Sequence, residues 1–204
     1  MTKKGSAKKS IRNERKQKKA KNRRIKFQIL LTIVVVLMGG AGWYFYWEST
    51  LPGQKIENLG RDHVSQDFPV KYNNSPPTSG PHAGPASWGN HSNEVPEINQ
   101  VHNLEHGGIL IQYNCVHLRG LVINQVVVHL QGQSCDELRT ELREVLLKAR
   151  EEIDRKIILA PYSKMPSLIA VTAWTRIQYF DKVEAEGILR FVEVFINEAP
   201  EIKE

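Results

Sequence analysis

The chain has 204 residues, room for one modest domain with accessory segments. Its formal net charge of +6 hides a sharp asymmetry: residues 1–26 hold thirteen Lys/Arg against Glu14 alone, so the remainder carries −6. The basic pI of about 9.3 therefore describes the tail, and a uniformly basic, nucleic-acid-type domain is excluded.

The tail, residues 1–26, has almost no apolar residues before Ile25 and is expected to be disordered. Its charge suits a topology signal and anionic lipid headgroups. Nucleic-acid binding finds no interleaved aromatics or known module there. Phe27 to Trp47 then runs without a charged side chain, interrupted in polarity by Gln28 and Thr32. That length matches the roughly 20 residues that cross a bilayer core. Trp43, Tyr44, Tyr46 and Trp47 gather at its C-terminal end, where amphipathic rings favour the interface. The basic block before it predicts a cytoplasmic N-terminus. Gly39-Gly40-Ala41-Gly42 supplies small residues of cleavage-site type, but the long basic region and long apolar run favour a retained anchor in the cell membrane.

Residues 48–55 read as a linker broken by Pro52-Gly53, and 56–204 as the extracytoplasmic domain. From Ile56 to Asn99 the composition is rich in Pro, Gly, Asn and Ser, predicting irregular structure with an extended piece near Val70-Lys71-Tyr72. Ile109–Tyr113 and Leu121–Leu130 read as strands. Ser134-Cys135-Asp136-Glu137 is a capping box, followed by Leu138, Leu142, Val145, Leu146, Ala149 and Ile153 at helical spacing. Ile157–Ala160 and Leu168–Trp174 read as buried strands. A last amphipathic helix is expected over about Val183–Ile196, before Pro200. The composite is an α+β domain: a small mixed sheet of about four strands with two amphipathic helices, preceded by one transmembrane helix.

Cys115 and Cys135 lie in the part expected outside, where a disulfide is the leading reading and free thiols or soft-metal ligands compete. In the chain-entropy model its loop would stabilise by roughly 3 kcal/mol.

Two dense motifs hold the chemistry, Pro76-Pro77-Thr78-Ser79-Gly80-Pro81-His82 and His102-Asn103-Leu104-Glu105-His106-Gly107-Gly108. His102 and His106 are four apart. On a helical turn their Cβ atoms lie about 6 Å apart, but in a strand about 13 Å. Gly107-Gly108 provides a left-handed stop that favours the helical turn. His82 would supply a third imidazole from a loop stiffened by proline. Three neutral imidazoles suit zinc or copper and leave a position open. Glu105 is a candidate ligand, orienter or catalytic base. His91, His117 and His129 read as ordinary hydrogen-bonding residues, and Ser79 as a turn residue. His-x-x-Glu-His is also the inverted zincin signature, although that motif belongs in a long helix and here two glycines and a strand follow.

The chain from Gly60 to Glu201 resembles a bacterial membrane-anchored family catalogued as a domain of unknown function. The resemblance rests on both motifs, Gly60-Arg61-Asp62-His63-Val64, Tyr113-Asn114-Cys115, Ala173-Trp174 and the closing Pro200-Glu201. It implies an extracytoplasmic domain whose His63, His82, His102 and His106 match the family pattern, with no reaction assigned. The chain departs from that pattern twice. Trp88-Gly89 is followed by Asn90-His91 where an aromatic is usual, and Cys135 lies farther from Cys115, so Val116–Ser134 reads as an insertion.

Three functions follow as expectations. The first is a histidine metal site using His82, His102 and His106, with His63 as an additional or alternative ligand. The second is a non-catalytic envelope module that binds a protein or small molecule. The third is a metal-dependent hydrolase with Glu105 as base.

Overall fold

The computed structural model describes residues 3–118, 121–123, 126–128 and 134–201. They fall into two compact units, Met1–Leu51 and Pro52–Glu204.

The first unit is helix α1, Lys3–Thr50. Its Lys21–Thr50 portion is long and apolar enough, by length and composition, to cross a membrane. The basic tail continues this helix, against the expectation of disorder. Lys, Arg and Ala are good helix formers, and no proline interrupts the chain before Pro52. Extending a helix that is already nucleated needs no apolar burial.

The second unit is α+β. Its order is β1 (Gln54–Lys55), β2 (Gly89–Asn90), α2 (Glu97–Glu105), β3 (Ile109–Tyr113), β4 (Leu121–Ile123), β5 (Val126–Val128), α3 (Cys135–Glu152), β6 (Ile157–Pro161), β7 (Ile169–Ala173), β8 (Arg176–Phe180) and α4 (Ala185–Phe195). Six strands form one mixed sheet in the order β1-β8-β7-β3-β6-β2. β6 runs parallel to β2 and β3, and the other pairings are antiparallel.

The expected strands at 109–113, 157–160 and 168–174 form the centre of this sheet, which is wider than four strands. β8 continues the chain after a tight turn with Thr175 at φ 58°. Two residues of the expected linker become edge strand β1. Val70–Tyr72 carries no strand. The expected strand over 121–130 is instead the separate hairpin β4–β5, and His129 and Leu130 lie outside the described residues.

Both faces of the central strands are buried, as their near-continuous apolar runs require. On one face Leu110, Ile158 and Ala160 pack with Val101 and Leu104 of α2, Val95, Trp174 and Trp88. The alternate residues Ile109, Ile111, Ile157 and Leu159 point the other way, where α3 and α4 cover the sheet. Helix α3 buries Leu138, Leu142, Val145, Leu146 and Ala149, and α4 buries Ile188, Phe191, Val192 and Phe195. The capping box forms as expected: Ser134 Oγ accepts from Glu137 N, and Glu137 accepts from Ser134 N. Cys115 and Cys135 are disulfide-bonded, tying the short 3-10 turn that follows β3 to the first residue of α3. The loop so closed contains the hairpin, so the longer spacing does not prevent pairing.

Candidate metal centre

The irregular segment before α2 is held by backbone pairing rather than by a sheet. Gly80 N donates to Gly60 O at 3.0 Å, His82 N to Asp62 O at 3.0 Å and Val64 N to His82 O at 2.9 Å. Residues 60–64 thus run beside the Pro-rich motif, with His63 and His82 in a parallel bridge. Ser79, fully buried, accepts from Leu59 N through Oγ, the structural role its turn sequence predicts. Tyr72 braces the motif by donating to Pro81 O at 2.8 Å. Burial, then the charge of Glu97, pushes the Tyr72 phenol well above its ordinary range, so it remains a donor.

The second motif forms the end of α2. His102 and Glu105 lie within the helix and His106 is its C-cap. Gly107, at φ 80°, then reverses the chain. A side chain at Gly108 would run into the ring of Trp88. Asn103 fastens the second motif to the chain just beyond the first by accepting from Ala86 N and donating to Ala86 O.

These elements bring three imidazoles together. Ring centroids are 4.5 Å apart for His63–His82, 5.3 Å for His82–His102 and 5.6 Å for His63–His102. One nitrogen from each falls in a group whose atoms all lie within 4.8 Å of one another. A side-chain adjustment of about an ångström would bring them to the roughly 3.4 Å spacing of tetrahedral ligands at 2.0–2.1 Å. His106 does not join this trio, although its ring is 4.7 Å from that of His102. The helix has ended by His106, whose Nδ1 is drawn to the carbonyl of Glu201 at 3.1 Å. It groups instead with Glu105 and Glu201. Of the four anticipated ligands, His63, His82 and His102 thus share one group, with His63 in the place expected of an additional or alternative ligand, and His106 falls in the neighbouring one.

Electrostatics single out Glu105. Its side chain is 0% exposed, and an unpaired buried carboxylate is strongly unfavourable. Among the described residues its ion-pair contacts are His82, with Nε2 2.8 Å from Oε2, and His63 at 3.9 Å. His82 Nδ1 lies 2.9 Å from Gly80 O. A carbonyl only accepts, so Nδ1 carries a proton. Nε2 then faces Glu105 without a well-formed hydrogen bond, and both Glu105 oxygens, His82 Nε2 and His102 Nδ1 are buried without a hydrogen-bond partner among the described residues. Burial lowers the pKa of His102, and His106, His82 and His63 push the same way against a bond to the Ala83 backbone. Its imidazole is thereby kept neutral, the form that ligates. His63 is 56% exposed and forms the open side of the group.

Residues 63–204 match a protein family described as protein of unknown function (DUF3105). The chain belongs to this family. No curated protein and no solved structure matches the chain. Membership of DUF3105 covers every histidine of the centre, beginning at His63 itself, and brings no reaction with it.

Glu201 was not among the expected site residues. It is delivered by the segment after α4, where Glu201 N donates to Glu105 O at 3.1 Å. The closing Pro200-Glu201 pair of the family resemblance was the available signal. His91 makes an ordinary bond, Nε2 to Ser87 O at 2.7 Å, and takes no part.

Proposed function

We propose that this is a single-pass membrane protein whose extracytoplasmic domain binds a transition-metal ion, zinc or copper, through His63, His82 and His102 with Glu105. What carries the reading is the buried Glu105 carboxylate beside imidazole nitrogens that have no hydrogen-bond partners among the described residues. A divalent cation neutralises the carboxylate and takes up the lone pairs, using donors that suit zinc or copper. His63 lies at the exposed edge, so an ion held there would be reachable from solvent on that side by a small molecule or an envelope protein. Glu105 has no exposed surface to offer a substrate, which favours ligation or orientation over the catalytic-base role and binding over hydrolysis.

The apolar helix and the disulfide support the location. Within the helix an uncharged run, Phe27–Trp47, follows a basic block, and the disulfide fits an oxidising compartment. The tail would then lie on the cytoplasmic side, against anionic lipid.

The test is metal analysis of the purified full-length chain after zinc or copper loading and desalting. Near-stoichiometric metal in the wild type, falling several-fold in His82→Ala and His102→Ala, is expected. A folded wild type that retains neither metal ends the proposal. Protease accessibility in intact cells checks the topology: the domain from residue 52 should be cleaved from outside.

A further inference from the structure

Glu105 belongs to two constellations. Its Oε2 takes the contacts with His82 and His63, leaving Oε1 as a second buried oxygen without a hydrogen bond among the described residues. The same carboxylate lies with His106 and Glu201 in a further group whose ligand atoms are all within 4.8 Å of one another. From these two groups we infer that the domain holds two divalent transition-metal ions side by side, bridged by the Glu105 carboxylate. The first position is made by His63, His82 and His102, the second by His106 and Glu201. This inference rests on the metal-binding reading proposed above and extends it.

Two features are those of a built site. His106 repeats the arrangement of His82. In each, Nδ1 is held by a backbone carbonyl, Glu201 O at 3.1 Å and Gly80 O at 2.9 Å, which leaves Nε2 as the nitrogen not engaged by the backbone. Anchoring one ring nitrogen to orient the other is how ligating histidines are usually held. The rings of His102 and His106, which belong to different groups, are only 4.7 Å apart. The two positions are therefore adjacent, as they must be for ions about 3.5–4 Å apart.

Charge points the same way. The ligand set has two carboxylates, one fully buried, and four imidazoles. A single ion in the first position leaves Glu105 Oε1 without a partner, and a second ion supplies one. Arg61 stands 3.6 Å from Glu201 Oε1 with 55% of its side chain exposed. An exposed pair of that kind is weak, so Arg61 can yield that oxygen to an ion while staying near the carboxylate.

The experiment counts Zn²⁺ per full-length chain and records the electron paramagnetic resonance spectrum of the Cu²⁺-loaded protein. Two Zn²⁺ per chain are expected, falling to one in His106→Asn and in Glu201→Gln. Coupled Cu²⁺ signals should revert to an isolated ion in both variants. His91→Asn, outside the centre, should keep two ions and the coupling, and circular dichroism checks that each variant folds. One Zn²⁺ per wild-type chain overturns the second position and leaves the single-ion reading standing. No bound Zn²⁺ or Cu²⁺ overturns both. Two ions that persist in folded His106→Asn and Glu201→Gln overturn the assignment of these ligands.

Discussion

The backbone N–H of Asn197 donates to the carbonyl of Gly107 at 2.8 Å, joining the turn after α4 to the glycine that ends α2. Asn197 is itself left-handed, at φ 61°. Its side chain donates to Asp154 and accepts from Lys156, so the loop after α3 is tied in as well. This junction carries Glu201 to the edge of the histidine cluster and fixes where α2 stops.

Gly107→Ala should therefore be costly. Alanine at φ 80° is strained, and its Cβ would meet the Asn197 Cα at 2.7 Å, a backbone atom with little freedom to move. Left-handed strain and overpacking together predict a loss of about 2–4 kcal/mol, a fall in Tm of roughly 5–15 °C. Thermal unfolding checks the loss, and Zn²⁺ retention should fall with it because His106 and Glu201 are displaced.

Glu105→Gln separates stability from binding. With His82 Nδ1 committed to Gly80, a glutamine amide can donate to Nε2 while the buried charge is removed. The metal-free variant should melt at or above the metal-free wild type. Saturating Zn²⁺ should raise the wild-type stability by about 4 kcal/mol at a thousandfold excess over Kd, and the variant clearly less. Scanning fluorimetry with and without Zn²⁺ reads both. A metal-free variant that melts far below wild type would show that Glu105 serves the fold instead.

The Cys115–Cys135 disulfide closes a loop of separation 20. Replacing both cysteines by serine should cost about 3 kcal/mol, a Tm decrease of roughly 6–12 °C. A thiol titration of the unfolded, unreduced protein should find no free cysteine.

Asp154 supplies a pH dependence. Burial raises its pKa, but hydrogen bonds from the Lys156 backbone and Asn197, with the Lys156 charge, outweigh burial and hold it below the usual 3.8. A depressed carboxylate contributes stability that is complete above its unfolded pKa and is lost as pH falls through the folded one. Asp154→Asn should thus be less stable than wild type at pH 7, with the gap narrowing below about pH 4. Urea unfolding at pH 7 and at pH 3 measures it, and a gap that is unchanged or wider at pH 3 contradicts the assignment.

Much of the fold was legible because local signals agreed with the tertiary outcome. The capping box at Ser134 set the start of α3 to the residue, and Gly107 ended α2 as its sequence context demanded. The three apolar runs became the buried central strands because a strand covered on both faces needs no alternation. The short partners were less visible. β1 and β2 have two residues each, too few to show a period, and they are strands only because β8 and β6 offer free edges.

The sequence alone determined the apolar helix, the α+β class and the residue types that could ligate, since composition and period depend on near neighbours along the chain. It placed His102 and His106 on one turn, a distance set by helix geometry. Which imidazoles share a point in space was decided by tertiary structure alone. His63 reaches His82 through backbone bonds across nineteen positions, and Glu201 reaches Glu105 across ninety-six. No local period encodes such contacts: they depend on where the sheet, α2 and the turn after α4 come to rest.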